Sequence, residues 1–204
     1  MFALTGCGGG TKAPEESKAV ESSETAGESK SEEAKSEGAK DSAKLIVVGY
    51  AQVGAESDWR TANTESFKST FVPENGYELI FNDAQQKQEN QIKAIRDFIQ
   101  QEVDYIVLAP VVETGWDTVL QEAKDAGIPV ILSDRMIKTS DDSLYTALVC
   151  GDFIKEGETA GHWLEDYLKS KNVAADEKIN IVTLQGTIGA SAQVGRTDGF
   201  ANIL

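Results

Sequence analysis

Two opposite charges, Asp134 and Arg135, close the apolar run Val130-Ile131-Leu132-Ser133. A carboxylate accepts hydrogen bonds in pairs, and a guanidinium donates them in a planar fork. Together they suit the adjacent hydroxyls of a polyhydroxylated small molecule. The competing reading is a solvated loop ion pair, which contributes little; the dipeptide alone leaves the two level. Other reactive residue types are sparse. His162 is the one histidine, and Cys7 and Cys150 are the two cysteines. That excludes a zinc framework of the Cys/His kind and a triad needing a spare His with a paired Cys. The turn Gln185–Ser191, QGTIGAS, is glycine-rich and suited to present backbone N–H groups at a helix start. It is neither G-x-x-x-x-G-K-S/T nor a G-x-G-x-x-G after a first strand, which argues against a nucleotide cofactor. Nor is it G-x-S-x-G, which removes the obvious esterase reading. With no nucleophile–base pair and no metal set in the sequence, the expectation is a protein that is not an enzyme and uses neither cofactor nor metal.

The elements that must position Asp134 and Arg135 are legible around them. Tyr105–Ala109 is apolar, too short for a helix and closed by Pro110, so it reads as a strand. Val119, Leu120, Ala123 and Ala126 follow at helical spacing, with Thr114 placed to cap the start and Gly127 to end it. Pro129 opens the strand that ends in the charged pair. Upstream, Leu45–Tyr50 is a continuous apolar run, read as a buried parallel strand. The loop Gln52–Trp59 leads to a helix carrying Ala62, Phe67 and Phe71. Tyr77–Phe81 is the next strand, and Asp83 is expected to begin a long helix, Gln86–Gln101, with Ile92, Ile95, Phe98 and Ile99 inward. Downstream, Leu144–Cys150 reads as a fifth strand. Asp152–Leu168 is a helix capped by Asp152, with Ile154, Ala160, Trp163 and Leu164 inward. Ile179–Leu184 reads as a sixth strand, and a last helix starts at Ala192. This alternation predicts an α/β fold with a doubly wound parallel sheet. Such sheets bind ligands at the carboxyl ends of their strands, which is where Asp134 and Arg135 stand. Trp116 and Trp163 are expected in packing contacts, His162 as a partly buried structural residue, and Cys150 as a small buried apolar one.

Acidic residues outnumber basic ones by 34 to 19, a net charge of −15. That argues against nucleic acid as a partner and against electrostatic attachment to anionic lipid. No run reaches transmembrane length. Residues 1–7 read as the remnant of a signal peptide, because Leu4-Thr5-Gly6-Cys7 resembles a bacterial lipobox with Cys7 as the acylated residue. The basic and apolar regions expected upstream of such a signal do not precede it. Residues 8–43 are Gly, Ser, Glu, Ala and Lys with scarcely a large apolar side chain, an acidic tether expected to be disordered. The expected elements divide into a first sheet over residues 44–150 and the start of a second over 151–204. The chain stops inside its last helix at Ile203-Leu204, and one strand with two helices is too little to bury a second sheet. The expectation is a chain truncated at the C-terminus.

The stretches QVGAESDWR (Gln52–Arg60), NDAQQKQENQIKAIRDFI (Asn82–Ile99), VDYIVLAPVVETGW (Val103–Trp116), AGIPVILSDR (Ala126–Arg135) and LQGTIGASAQVGRTDGF (Leu184–Phe200) carry a family resemblance. The sequence resembles the periplasmic sugar-binding proteins of ABC importers, the ribose- and galactose-binding type, and most closely their galactofuranose-binding branch. The resemblance implies the type I periplasmic-binding-protein fold: two doubly wound parallel-sheet lobes, the second incomplete here, closing on a sugar by hinge motion. It implies that Glu56, Ser57, Asp58, Trp59 and Arg60 occupy the branch's Glu-Ser-Gly-Trp-Arg position, with Asp58 departing from the usual small residue. Trp59 is either a stacking wall for the sugar or a core anchor. Asp134 and Arg135 match the family's Asp-Arg pair. Arg196, in RTDGF, matches an arginine that reaches the sugar from the second lobe. The implied function is a lipid-anchored, extracytoplasmic solute-binding protein, on the outer face of the cytoplasmic membrane or in the periplasm. It is expected to act as a monomer and to pass a galactofuranose-like monosaccharide or related aldose to an ABC permease. Part of the polar Gln85–Gln91 helix start is a candidate permease contact. The alternatives are a sensory protein presenting its ligand to a receptor kinase or chemoreceptor, a transcription regulator, which lacks the basic helix-turn-helix it would need, and an enzyme on a related fold.

Overall fold

In the computed structural model, which describes residues 44–174 and 176–204, the apolar runs pair as parallel strands. Cys7 and the 8–43 segment lie outside the described residues. The chain runs β1 (Ile46–Gln52), α1 (Asp58–Thr70), β2 (Tyr77–Asp83), α2 (Gln88–Gln100), β3 (Tyr105–Leu108), α3 (Asp117–Asp125), β4 (Val130–Asp134), β5 (Ala147–Cys150), α4 (Phe153–Ser170) and α5 (Ser191–Ala201). The sheet order is β2-β1-β3-β4-β5, every pair parallel. The chain leaves β1 toward β2 and then crosses back to β3 on the other side. That reversal opens a crevice at the carboxyl ends of β1 and β3, the usual ligand position in open α/β sheets.

Alternation along each strand divides the core between two faces. Ile106 and Leu108 of β3 join Val130 and Leu132 against Ile95 and Phe98 of α2 and Val119, Leu120 and Ala123 of α3. Val107 and Ala109 turn the other way and join Val48, Tyr50 and Val53, with Phe67 and Phe71 of α1 packed over them. Phe67 lies 4.2 Å from Tyr50 and 5.4 Å from Phe71, ring centre to ring centre. Trp116 is wholly buried in the α2/α3 face and donates its indole N–H to Val112 O at 2.7 Å, as a packing residue with a satisfied polar end.

Several expectations need correction. The residue capping α3 is Trp116 and not Thr114, whose carbonyl instead accepts Gln88 Nε2 at 2.6 Å. The fifth strand begins at Ala147, because Asp142–Leu144 form a 3-10 turn held by Asp141, which accepts Ser143 N at 2.9 Å. The sixth strand, Ile179–Leu184, is not formed: among the described residues nothing pairs with it, and Val182 and Leu184 are 86% and 95% exposed. An apolar run becomes a strand only when a neighbour takes up its N–H and C=O groups. Helix α4 is capped by Asp152 as expected, Lys155 N donating to Oδ1 at 2.9 Å. Its buried stripe, however, is Phe153, Gly157 and Gly161. Ile154, Ala160 and Trp163 are exposed and Leu164 only half-buried, because the helix packs on α5 and, among the described residues, no strand packs against those side chains. Trp163 stacks on its own helix neighbour Tyr167 at 5.3 Å, and exposed His162 lies 3.6 Å from Glu165. Cys150, ending an edge strand, is exposed rather than buried.

Helices α4 and α5 meet backbone to backbone. A Cβ at Gly199 would run into the Ile154 carbonyl, and one at Gly157 into the Arg196 carbonyl. Glycine at these positions is what lets the helices touch. Gly199→Ala is therefore expected to cost about 1–3 kcal/mol by forcing the helices apart. Gly186→Ala, with open space around its Cβ, should stay within about 0.5 kcal/mol of the parent. Thermal melting of the two variants checks the pair; equal midpoints would mean the contact is loose.

Candidate binding site at the carboxyl edge of the sheet

The loop leaving β1 ends at Ser57, whose hydroxyl accepts Arg60 N at 3.1 Å and starts α1. Asp58, in the first turn, places a negative charge at the positive end of the helix dipole. These two residues build the helix start, and both are exposed. Arg60 is only 2% exposed. Its Nε donates to Glu56 Oε1 at 3.0 Å, one helical turn back, and its Nη2 donates to Asp134 Oδ2.

Asp134 is presented by an unusual backbone. Its φ of 66° lies in the left-handed region, and Arg135 N donates to Ser133 O at 2.7 Å across it. The chain thus turns within three residues at the end of β4. That turn lets consecutive side chains enter one cluster. Arg135 Nη2 donates to Glu56 Oε1 at 3.3 Å, Nη1 donates to Val111 O at 3.2 Å, and Nε lies 3.8 Å from Asp134 Oδ2. Two carboxylates and two guanidinium groups, from two segments of the same sheet edge, neutralise one another.

The electrostatics follow from burial and pairing. Burial pulls the Arg60 guanidinium down, but the bonds and charges of Asp134 and Glu56 outweigh it and hold the group above its ordinary value. Arg135 is held below its ordinary value, first by burial and then by the positive charge of Arg60. Burying ions costs several kcal/mol each before pairing recovers it, so such a cluster is weak ground for stability. Two atoms in it, Glu56 Oε2 and Arg60 Nη1, are buried without a protein partner. One is an acceptor and the other a donor, the two roles that a hydroxyl can fill. Trp59 is 56% exposed next to them, with the Arg60 guanidinium carbon 4.8 Å from its ring centre. It is not a core anchor.

Arg196 stands apart from this cluster. Its Nε donates to Glu156 Oε2 at 2.7 Å, and its guanidinium carbon lies 5.0 Å over the Phe153 ring. It shares with Arg135 an open cleft of about 670 Å³, lined also by Gln185, Thr187 and Gln193. The Gly-rich turn beside it is held to the loops at the sheet edge: Gly189 O accepts Glu113 N and Ser191 Oγ accepts Met136 N, each at 2.9 Å. Gly189 N is already used, donating to Gln193 Oε1 at 3.0 Å.

Two buried glutamines at the crevice have a structural role that the sequence reading does not assign: Gln91 reads there only as part of the polar Gln85–Gln91 helix start. Gln91 is wholly buried and bonds to Ala51 O at 3.1 Å, Ala109 O at 2.6 Å and Val111 N at 2.9 Å. It is a structural clamp and not an exposed helix start. Gln52, also wholly buried, donates to Asn63 Oδ1 at 2.8 Å and Thr64 Oγ1 at 3.1 Å, and accepts Val53 N at 2.9 Å. Gln91 shares a helix face with the buried Ala94, Ile95 and Phe98. A polar residue on an apolar stripe must find inward partners, and that signal was available.

The fold and the crevice are those of a periplasmic binding protein. The family profile described as a periplasmic binding protein domain matches residues 48–204, and the chain belongs to that family. It is 50% identical over 159 residues to the galactofuranose-binding protein YtfQ of Escherichia coli (strain K12), across 78% of this chain and 48% of that protein. A Mycobacterium smegmatis protein in complex with beta-D-fucofuranose superposes with a TM-score of 0.72 at 53% identity, over 78% of this chain and 51% of that one. The binding protein of the arabinose ABC transporter from Shewanella sp. ANA-3, bound to alpha- and beta-L-arabinofuranose, gives 0.69 at 50% identity, over 77% and 49%. The chain spans about half the length of the curated relatives it matches.

The charge cluster makes a stability prediction. Arg60→Met leaves Glu56 and Asp134 facing only Arg135, and is expected to lower unfolding free energy by about 3–5 kcal/mol. Adding Asp134→Asn should recover part of that loss. Urea unfolding of the single and double variants measures both; simple additivity would mean that the pair is not coupled.

Proposed function

We propose that the chain carries the first lobe, and part of the second, of an extracytoplasmic solute-binding protein. It takes a monosaccharide in furanose form and delivers it to an ABC transporter permease without chemical change. The observation that carries this reading is the buried, unpartnered pair Glu56 Oε2 and Arg60 Nη1 inside a neutral cluster of four charges. Sugar hydroxyls donate to the first atom and accept from the second. Asp134 holds Arg60 in place and offers its remaining oxygen to a further hydroxyl. Arg135 supplies further donors, and Trp59 gives an exposed ring for the apolar C–H face of the sugar ring. Ser57 and Asp58 shape the loop. Arg196, across the cleft, is the residue placed to approach the ligand when the lobes close. The furanoses named for the relatives support a furanose over a pyranose.

Attachment to the outer face of the cytoplasmic membrane through an acylated Cys7 is part of the proposal and rests on the lipobox-like Leu4–Cys7. The 8–43 segment would then be the tether, and a monomer is the working form. The sensory alternative uses the same sugar site and separates from transport by its partner: a permease in one case, a receptor kinase or chemoreceptor in the other.

Calorimetric titration of the full-length protein with galactofuranose, arabinofuranose and fucofuranose, and with their pyranose-locked methyl glycosides, tests the reading. Saturable binding to a furanose is expected, and Asp134→Ala should weaken it by at least roughly 30-fold through a lost charged partner, with the melting transition still cooperative. Binding to no sugar, or an affinity unchanged by Asp134→Ala, would reject the site. Separately, Cys7→Ser is expected to move the protein from the membrane fraction to the soluble fraction; continued membrane retention would remove the anchor from the proposal.

A further inference from the structure

The β1–β3 ladder ends early. Its last regular bond runs from Ala109 N to Ala51 O at 3.2 Å, just past the Ala51–Leu108 pair. In a regular parallel ladder the next bonds would join Val53 N to Ala109 O and Val111 N to Val53 O. Side chains and a neighbouring loop have taken those groups. Val53 N donates to Gln52 Oε1 at 2.9 Å, and Val53 O accepts Gln86 N at 2.7 Å. Ala109 O accepts Gln91 Nε2 at 2.6 Å, and Val111 N donates to Gln91 Oε1 at 2.9 Å. Pro110, between them, has no N–H to offer. The strands therefore part with each of these buried backbone groups satisfied. They part at the switch point of the sheet, where the crevice lies.

The residue that Gln91 holds by its N–H is the one whose carbonyl holds Arg135, which donates Nη1 to Val111 O at 3.2 Å. We propose that Gln91 is a positioning residue of the binding site. Its carboxamide wedges β1 and β3 apart and sets the Val111 carbonyl, and through it the Arg135 guanidinium, against Glu56. The side chain must carry donors and an acceptor at one end. A methionine would fill the same space and leave Ala109 O and Val111 N without partners. The nearest relief is for β1 and β3 to zip onward, which narrows the mouth and moves Val111.

The ligand readout of this proposal rests on the sugar-site reading; its ligand-free readout does not. The test compares parent protein and Gln91→Met by NMR of the arginine Nε–H groups, by amide exchange at Val111, and by furanose titration. Arg96 is the internal control, because it lies on the same helix and pairs outward with Glu122 at 2.8 Å. The expected result is a shifted Arg135 Nε–H signal, an unmoved Arg96 signal, faster exchange at Val111, and a furanose affinity weaker by roughly tenfold. A folded Gln91→Met with Arg135 unmoved overturns the proposal, whether or not affinity falls, because a fall would then be general destabilisation. If Gln91→Met does not fold, Gln91→Glu decides. Burial raises a carboxyl's pKa, and its protonated form again offers one donor and one acceptor. The Arg135 signal should then return to its parent position as pH falls from about 9 to about 6; a signal indifferent to pH overturns the assignment. Should the parent bind no furanose, the proposed function fails, while the ligand-free Arg135 signal still decides Gln91.

Discussion

The bond between Arg60 and Asp134 joins residues 74 positions apart in sequence, and the site depends on it. One partner belongs to the helix that follows β1, the other to the end of β4, and the strand β3 lies between them in the sheet. A guanidinium this deeply buried cannot stand without a carboxylate. The pair therefore fixes how far apart the two loops sit, and everything else in the crevice is arranged around that distance. Glu56 bridges both arginines through a single oxygen. That economy is what leaves its second oxygen free of protein.

The hydrophobic sheet positions this cluster without contributing to its chemistry. Period-two alternation commits the inner strands β1, β3 and β4 to two packed faces, so polar side chains gather where those strands end. The switch point adds room there, and the amides of Gln52 and Gln91 keep the room lined by satisfied backbone. Three kinds of constraint thus converge on a few residues: topology opens the crevice, hydrogen-bond accounting keeps it open, and charge balance fills it.

Much of this was legible in the sequence. Short apolar runs bounded by Gly, Pro and charged residues marked β1 to β4, because a buried parallel strand leaves little ambiguity about type. The pair Asp134-Arg135 was placed by its position at a strand end, and Glu56 and Arg60 by family resemblance. What was missed has physical reasons. Gln91 looked like one more polar residue at a helix start, since its value lies in partners 18 to 40 residues away that no local pattern announces. Ile179–Leu184 has strand composition, but composition cannot supply a neighbour. The inward face of α4 was assigned to its large apolar residues, whereas the contact with α5 is made through glycines, which a hydrophobic pattern does not register. The links proposed for Arg196 came from resemblance alone, and its place across the cleft reflects its pairing with Glu156.

The left-handed backbone at Asp134 restricts which descendants of this sequence remain viable. Most side chains are strained at a φ of 66°; glycine, asparagine and aspartate are the residues that tolerate it. Asparagine lies one base change from aspartate and keeps the shape while removing the charge. Glycine removes both. Either change keeps the turn but takes from Arg60 its partner across the sheet, so it must be matched by a change at Arg60, and a bulky or β-branched group cannot be installed there at all. The shape of the crevice is more readily altered at Trp59, which is exposed and sits on ordinary helical backbone.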